Sequence, residues 1–130
     1  MSIKKSILIV EDEALIAEDL MDIIISLGYE VAGIADSSSA AIALAKEKTP
    51  DLITMDINLQ GGTDGISTVE LIRKESDVPV IYITVFTTDL ILERAKKTKP
   101  SGYLSRPTQD RHIVSFWKTF LKAKLIIPVK

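Results

Sequence analysis

Glu11, Asp12, Asp56, Thr84 and Arg106 are the residues of this 130-residue chain whose types and positions suit chemistry on a phosphoryl group. Each ends or directly follows a short apolar run. Ile7-Leu8-Ile9-Val10 leads into Glu11-Asp12, and Leu52-Ile53-Thr54-Met55 into Asp56. Val80-Ile81-Tyr82-Ile83 leads into Thr84, and Tyr103-Leu104-Ser105 into Arg106-Pro107. If these runs are parallel strands of one sheet, their polar ends emerge at one edge, where open α/β sheets build their sites. Taken singly, each residue has an ordinary reading. Asp56 is an acid capping a strand or loop, and Glu11-Asp12 are acids favouring a helix dipole. Thr84 is a β-branched strand residue and Arg106 a solvated loop charge.

Together they mean more. Three carboxylates in one cleft repel, and a like-charged pair 4 Å apart costs roughly 4 kcal/mol at an effective dielectric near 20. Such a site needs a cation or a proton. Its donors are all oxygens, and the chain has no cysteine. That favours Mg²⁺, which takes one or two carboxylates together with waters and phosphate oxygens. Asn58, two residues past Asp56, can add a backbone carbonyl. Thr84 and Arg106 can hold phosphoryl oxygens. The most economical reaction is phosphoryl transfer to Asp56 as nucleophile, giving an acyl phosphate. A GxxxxGK[ST] loop is missing from the sequence, which argues against a nucleotide-binding P-loop. Arg106-Pro107 is a candidate cis peptide that would lock its strand end.

The elements that must position these residues follow an alternating pattern. Short apolar runs alternate with longer amphipathic stretches, the signature of a parallel sheet covered on both faces. Strands are expected at roughly 5–11, 30–35, 51–56, 79–84 and 101–104. In the first helical stretch Ile16, Leu20, Ile23, Ile24 and Leu27 recur at helical spacing, with Gly28 as its stop. The second starts at Ser37–Ser39 and ends near Thr49-Pro50. The third spans about 66–75 and the fourth 89–97. The fifth, about 108–123, gathers Ile113, Phe116, Trp117, Phe120 and Leu121 on one face, and Pro128 bars its extension. The expected architecture is a five-stranded doubly wound sandwich. If its strand order is 2-1-3-4-5, the first and third strands are neighbours and Glu11, Asp12 and Asp56 share a cleft.

Composition narrows the function. The hydrophobic content of 46% and charged content of 26% are ordinary for a globular domain. A net charge of -2 gives no reason to expect nucleic acid or an anionic membrane as partner. Without cysteine, disulfides and thiol redox chemistry are excluded. The apolar run after Lys4-Lys5 is cut at Glu11, too short for a signal peptide or a membrane span. The expectation is a single cytoplasmic domain. His112 is read as a surface residue.

These residues resemble the receiver domain of two-component response regulators, from about residue 5 to 121. The matching pieces are ILIVEDE at 7–13, DLITMDINL at 51–59, DGI at 64–66, VPVIYIT at 78–84 and GYLSRP at 102–107. The resemblance implies a flavodoxin-like (βα)5 sandwich, with the receiver domain over 1–124 and a tail or the start of a linker over 125–130. It implies that Asp56 is the phosphoacceptor, served by a histidine kinase, and that Mg²⁺ is held by Glu11, Asp12, Asp56 and the Asn58 carbonyl. Asp12 would bind the ion directly and Glu11 through water. Thr84 is then the switch hydroxyl, Arg106 the phosphate-binding cation, Tyr103 the switch aromatic and Gly65 the glycine of the loop after the third strand. Such a domain is not an enzyme in its own right, though it assists its own phosphorylation and dephosphorylation. Its output is protein–protein contact with a downstream protein or a linked domain. A homodimer through the fourth helix, fifth strand and fifth helix fits the same picture.

Three departures from the family pattern stand out. Arg106 replaces lysine, bringing a planar fork where a point charge is usual. Val85 replaces a small residue and would narrow access to Asp56. The loop NLQGGTDG at 58–65 is long and has Gln60 where proline is frequent. Phe86 borders the expected path of attacking water, where its ring would slow dephosphorylation. Arg106 and Val85 motivate an alternative reading, a degenerate receiver that binds protein without efficient phosphorylation. An FMN-binding protein of the same fold is disfavoured, because Glu11-Asp12-Glu13 would repel the FMN phosphate.

Overall fold

The computed structural model describes residues 4–84 and 88–105, without the side chains of Thr84 and Ser105. Five parallel strands form one sheet: β1 (Ser6–Val10), β2 (Glu30–Ala35), β3 (Leu52–Asp56), β4 (Val80–Thr84) and β5 (Gly102–Ser105). Their order is β2-β1-β3-β4-β5. Helices α1 (Ala14–Ser26), α2 (Ser38–Lys48), α3 (Gly65–Ile72) and α4 (Asp89–Lys97) connect them. The expected fifth helix lies outside the described residues, as do the tail and the Arg106-Pro107 peptide.

The strand sequences dictate a two-faced core. Side chains alternate across a strand, and the middles of the interior strands are almost wholly apolar, with Thr54 the buried exception, so both faces are buried. Leu8, Val10, Ile53, Met55, Val80 and Tyr82 fill one face together with Ile66, Val69 and Ala95 of the helices. Ile7, Ile9, Leu52, Ile81, Ile83 and Leu104 fill the other against Ala17, Leu20, Ile23 and Ile24 of α1.

Local chemistry sets the helix ends. Gly28, at φ 92°, closes α1. Its amide reaches the Ile25 carbonyl at 3.0 Å, and the Tyr29 amide reaches Ile24 at 3.2 Å, the paired bonds of a left-handed glycine cap. Ser37 caps α2 through its hydroxyl, which accepts from the Ala40 amide. Asp64 caps α3 by accepting from Ser67 N at 2.8 Å. This third helix is shorter than the sequence pattern predicts, ending at Ile72 rather than 75. Beyond it the amides of Lys74 and Glu75 reach back three residues, to Leu71 and Ile72. The Arg73 guanidinium turns away to the carbonyls of Thr98 and Val78. Among the described residues no helix is long and apolar enough to cross a membrane.

Candidate functional site

Register brings the acids together. Val10 pairs with Met55 across β1 and β3, so Glu11, one residue on, is level with Asp56 at the carboxyl edge of the sheet. The Glu11 amide holds the Ala35 carbonyl at 2.9 Å, which extends the ladder past the strand end. One carboxylate oxygen each from Glu11, Asp12 and Asp56 then lie within 4.8 Å of one another.

Burial differs among the three. Glu11 is 5% exposed, while Asp12 and Asp56 are half-buried. Burial, then the charge and hydrogen bond of Asp56, push the Glu11 carboxyl up to about 9. The Glu13 amide, donating to Glu11 Oε2 at 3.2 Å, opposes this in part. At neutral pH and without a cation, Glu11 therefore keeps its proton. A proton relieves the crowding that the sequence pattern implies, and a hard dication would relieve it as well. The donor set is all oxygen and carries several negative charges when ionised, which fits Mg²⁺ chemistry.

The loop after β3 serves the same carboxylates with main-chain donors. Asn58 N donates to Asp56 Oδ1 at 3.0 Å, and Gln60 N to Asp12 Oδ2 at 3.2 Å. Gly65 closes the loop against the backbone of Asp56. A Cβ at Gly65 would lie 2.0 Å from the Asp56 carbonyl oxygen, so only glycine fits. The side chains of Asp64 and Arg94 meet at 3.1 Å, and Arg94 also reaches Ser67 Oγ at 3.2 Å. Partial burial raises the Asp64 carboxyl, but the Ser67 amide and Arg94 outweigh it and hold it below the usual carboxylate value.

The remaining candidates are distributed as follows. Thr84 ends β4 opposite Ser105 in the register. Tyr103, in β5, pairs with Tyr82, and its ring packs partly buried against the core face that includes Tyr82 and Ala95. Its hydroxyl is buried without a hydrogen-bond partner among the described residues. The Tyr82 hydroxyl, by contrast, meets Thr98 Oγ1 at 2.7 Å. Val85, Phe86, Arg106 and His112 lie outside the described residues.

Sequence reasoning passed over two contributors. The Gln60 amide is one, and the Arg94–Asp64 pair is the other. A main-chain donor leaves no trace in residue type. The pair's only signal was the Asp-Gly at the start of α3.

A parallel sheet of order 2-1-3-4-5, with its acidic cluster at the carboxyl edge between the first and third strands, defines a flavodoxin-like α/β domain. The chain belongs to the response regulator receiver domain family, whose model matches residues 7–118. It is 36% identical over 108 residues to the phyllosphere-induced regulator PhyR of Methylorubrum extorquens, covering 82% of this chain and 40% of PhyR. It is 32% identical over 112 residues to the chemotaxis protein CheY of Thermotoga maritima, covering 85% of this chain and 92% of CheY. The response regulator domain of Thermotoga maritima CheB superposes with a TM-score of 0.85 at 28% identity, covering 94% of this chain and 93% of that one. The chain thus spans 40% of PhyR and nearly all of CheY. The family is one of signalling receivers and not of enzymes.

Proposed function

We propose that this domain is a phosphorylation-dependent switch with Asp56 as phosphoacceptor. The observation that carries the reading is the crowding of Glu11, Asp12 and Asp56 within 4.8 Å, with Glu11 holding a proton. Neither the fold nor the core requires that arrangement. A buried acid lifted so far is a liability unless a ligand uses it.

In this reading an Asp56 oxygen attacks the phosphorus of a phosphohistidine on a histidine kinase. The P–O bond forms, the P–N bond breaks, and the imidazole departs. Glu11, Asp12, Asp56 and the Asn58 carbonyl would hold Mg²⁺. When bound, the ion offsets the charge of the carboxylates and of the phosphoryl oxygens. Asn58 N, on Asp56 Oδ1, orients the nucleophile. In the same reading Thr84 and Arg106 would bind the phosphoryl oxygens.

Tyr103 supports a two-state output. Its buried hydroxyl has no partner among the described residues, and a buried hydroxyl left unpaired costs about 1–3 kcal/mol. That penalty weakens the inward position of the ring and favours its release when Thr84 moves. The ring packs against the face to which Ile91 and Ala95 of α4 contribute, so its release biases α4 and β5 toward a partner-binding form. The partner is a downstream protein or a linked output domain.

The test is incubation with Mg²⁺ and acetyl phosphate, read by intact mass, with Asp56→Asn as control. Gain of one phosphoryl group in wild type alone is the expected result. No modification, together with no Mg²⁺ binding, refutes the switch and leaves the protein-binding module. Arg106→Lys and Val85→Ala then show which departure limits the rate.

A further inference from the structure

We infer that the backbone amide of Gln60 positions Asp12 for cation binding, so that the loop after β3 helps set the affinity of the acidic site. The inference rests on reading Glu11, Asp12 and Asp56 as that site. The Gln60 amide reaches Asp12 Oδ2 at 3.2 Å across 48 positions of sequence. Two consecutive glycines make the approach possible. Gly61 and Gly62 have φ of 95° and 93°, and nothing lies within 4 Å of a Cβ built on either. The requirement there is torsional and not one of space, because other residues rarely adopt that region.

Both ends of the loop are fixed. Asn58 N is held on Asp56 Oδ1, and Asp64 is held by the Ser67 amide and Arg94. One loop therefore delivers a main-chain donor to each of two half-buried carboxylates. An ionised carboxylate offers about four acceptor sites. An amide on Oδ2 sets the torsion of the Asp12 carboxylate and leaves the group able to coordinate. Removing a hydrogen bond that orients a ligand carboxylate typically costs about 10–100-fold in metal affinity. Because the donor is main-chain, side-chain identity at position 60 is immaterial except for proline, which has no N–H to give. Receivers with proline there lack this contact, so the amide's role belongs to the longer loop of this chain, NLQGGTDG.

The experiment is Mg²⁺ titration of wild type, Gln60→Ala and Gln60→Pro by calorimetry, with amide hydrogen exchange of Gln60 followed by NMR in metal-free protein. Gln60→Ala keeps the donor and should bind within about twofold of wild type. Gln60→Pro should bind roughly tenfold more weakly with an unchanged metal-free circular dichroism spectrum. The Gln60 amide should be protected in wild type and lose protection in Asp12→Ala. Equal Mg²⁺ affinity in wild type and Gln60→Pro overturns the inference and leaves the cation site standing. Absence of Mg²⁺ binding by wild type overturns both. Should Gln60→Pro fail to fold, the exchange measurement decides, since a Gln60 amide unaffected by Asp12→Ala is not held by that carboxylate.

Discussion

Glu11→Gln removes the charge that the acidic cluster tolerates least, and the cost of that charge can be worked from two sides. Carboxylate oxygens within 4.8 Å repel by about 3.5 kcal/mol at an effective dielectric of 20. The Glu11 carboxyl, raised from 4.5 to about 9 by burial and by Asp56, gives a linkage slope of about 1.4 kcal/mol per pH unit. Between those two values the folded state holds a proton that the unfolded state has lost. Stability from this group is therefore fully present below the unfolded value and is lost as pH rises through the folded one. From about pH 5 to about pH 8 the loss is on the order of 4 kcal/mol, a large share of a small domain's stability. Urea denaturation in EDTA, followed by circular dichroism, should show wild type weakening over that range and Glu11→Gln remaining nearly level. Asp56→Asn should show a shallower slope than wild type but not a flat one, because burial, the larger cause, remains. Mg²⁺ at ten times its Kd should restore about 1.4 kcal/mol to wild type near pH 8. Identical slopes for wild type and Glu11→Gln in EDTA would mean that Glu11 ionises without penalty, and the crowding argument would fail.

Three further outcomes are expected. Gly65→Ala places a methyl 2.0 Å from the Asp56 carbonyl oxygen. It should destabilise by about 1–3 kcal/mol and suppress modification of Asp56 by acetyl phosphate. Gly33→Ala, whose Cβ would meet Leu44 at an ordinary 3.5 Å, should do neither. Tyr82→Phe and Tyr103→Phe should differ in sign although the two residues are register partners. Tyr82 loses a 2.7 Å bond to Thr98 and about 1 kcal/mol in thermal or urea denaturation, whereas Tyr103 loses only a hydroxyl without a partner among the described residues and gains stability. Thr54→Val, at a buried strand position whose hydroxyl has no partner among the described residues, should stabilise by about 1 kcal/mol without changing the phosphorylation rate. A destabilised Thr54→Val would show that its hydroxyl is satisfied in solution.

What the sequence revealed and what it concealed divide along one physical line. Strands β1, β3 and β4 were legible because a strand buried on both faces is mostly apolar, with Thr54 and Tyr82 the buried hydroxyls, and a charged or hydroxyl residue at the end of the run marks where it reaches the sheet edge. Glu11, Asp56 and Thr84 are those marks, so the same residues that end the strands are the ones the sheet edge gathers. The Gly28 and Ser37 caps were legible because their side chains, or the lack of one, do the capping. The end of α3 was misjudged by three residues, since Arg73 finds carbonyl partners on segments that sequence periodicity does not place beside it. Tyr82 and Tyr103 are the same residue type on adjacent strands, and among the described residues only Tyr82 has a hydroxyl partner, Thr98 at the end of α4. The Gln60 amide was invisible because every residue but proline offers one. A functional side chain thus announces itself in sequence by being unsuited to its strand or helix. A functional main-chain group does not, and around Asp56 and Asp12 it is main-chain groups, the amides of Asn58 and Gln60 and the bare Cα of Gly65, that hold the two carboxylates of the proposed site.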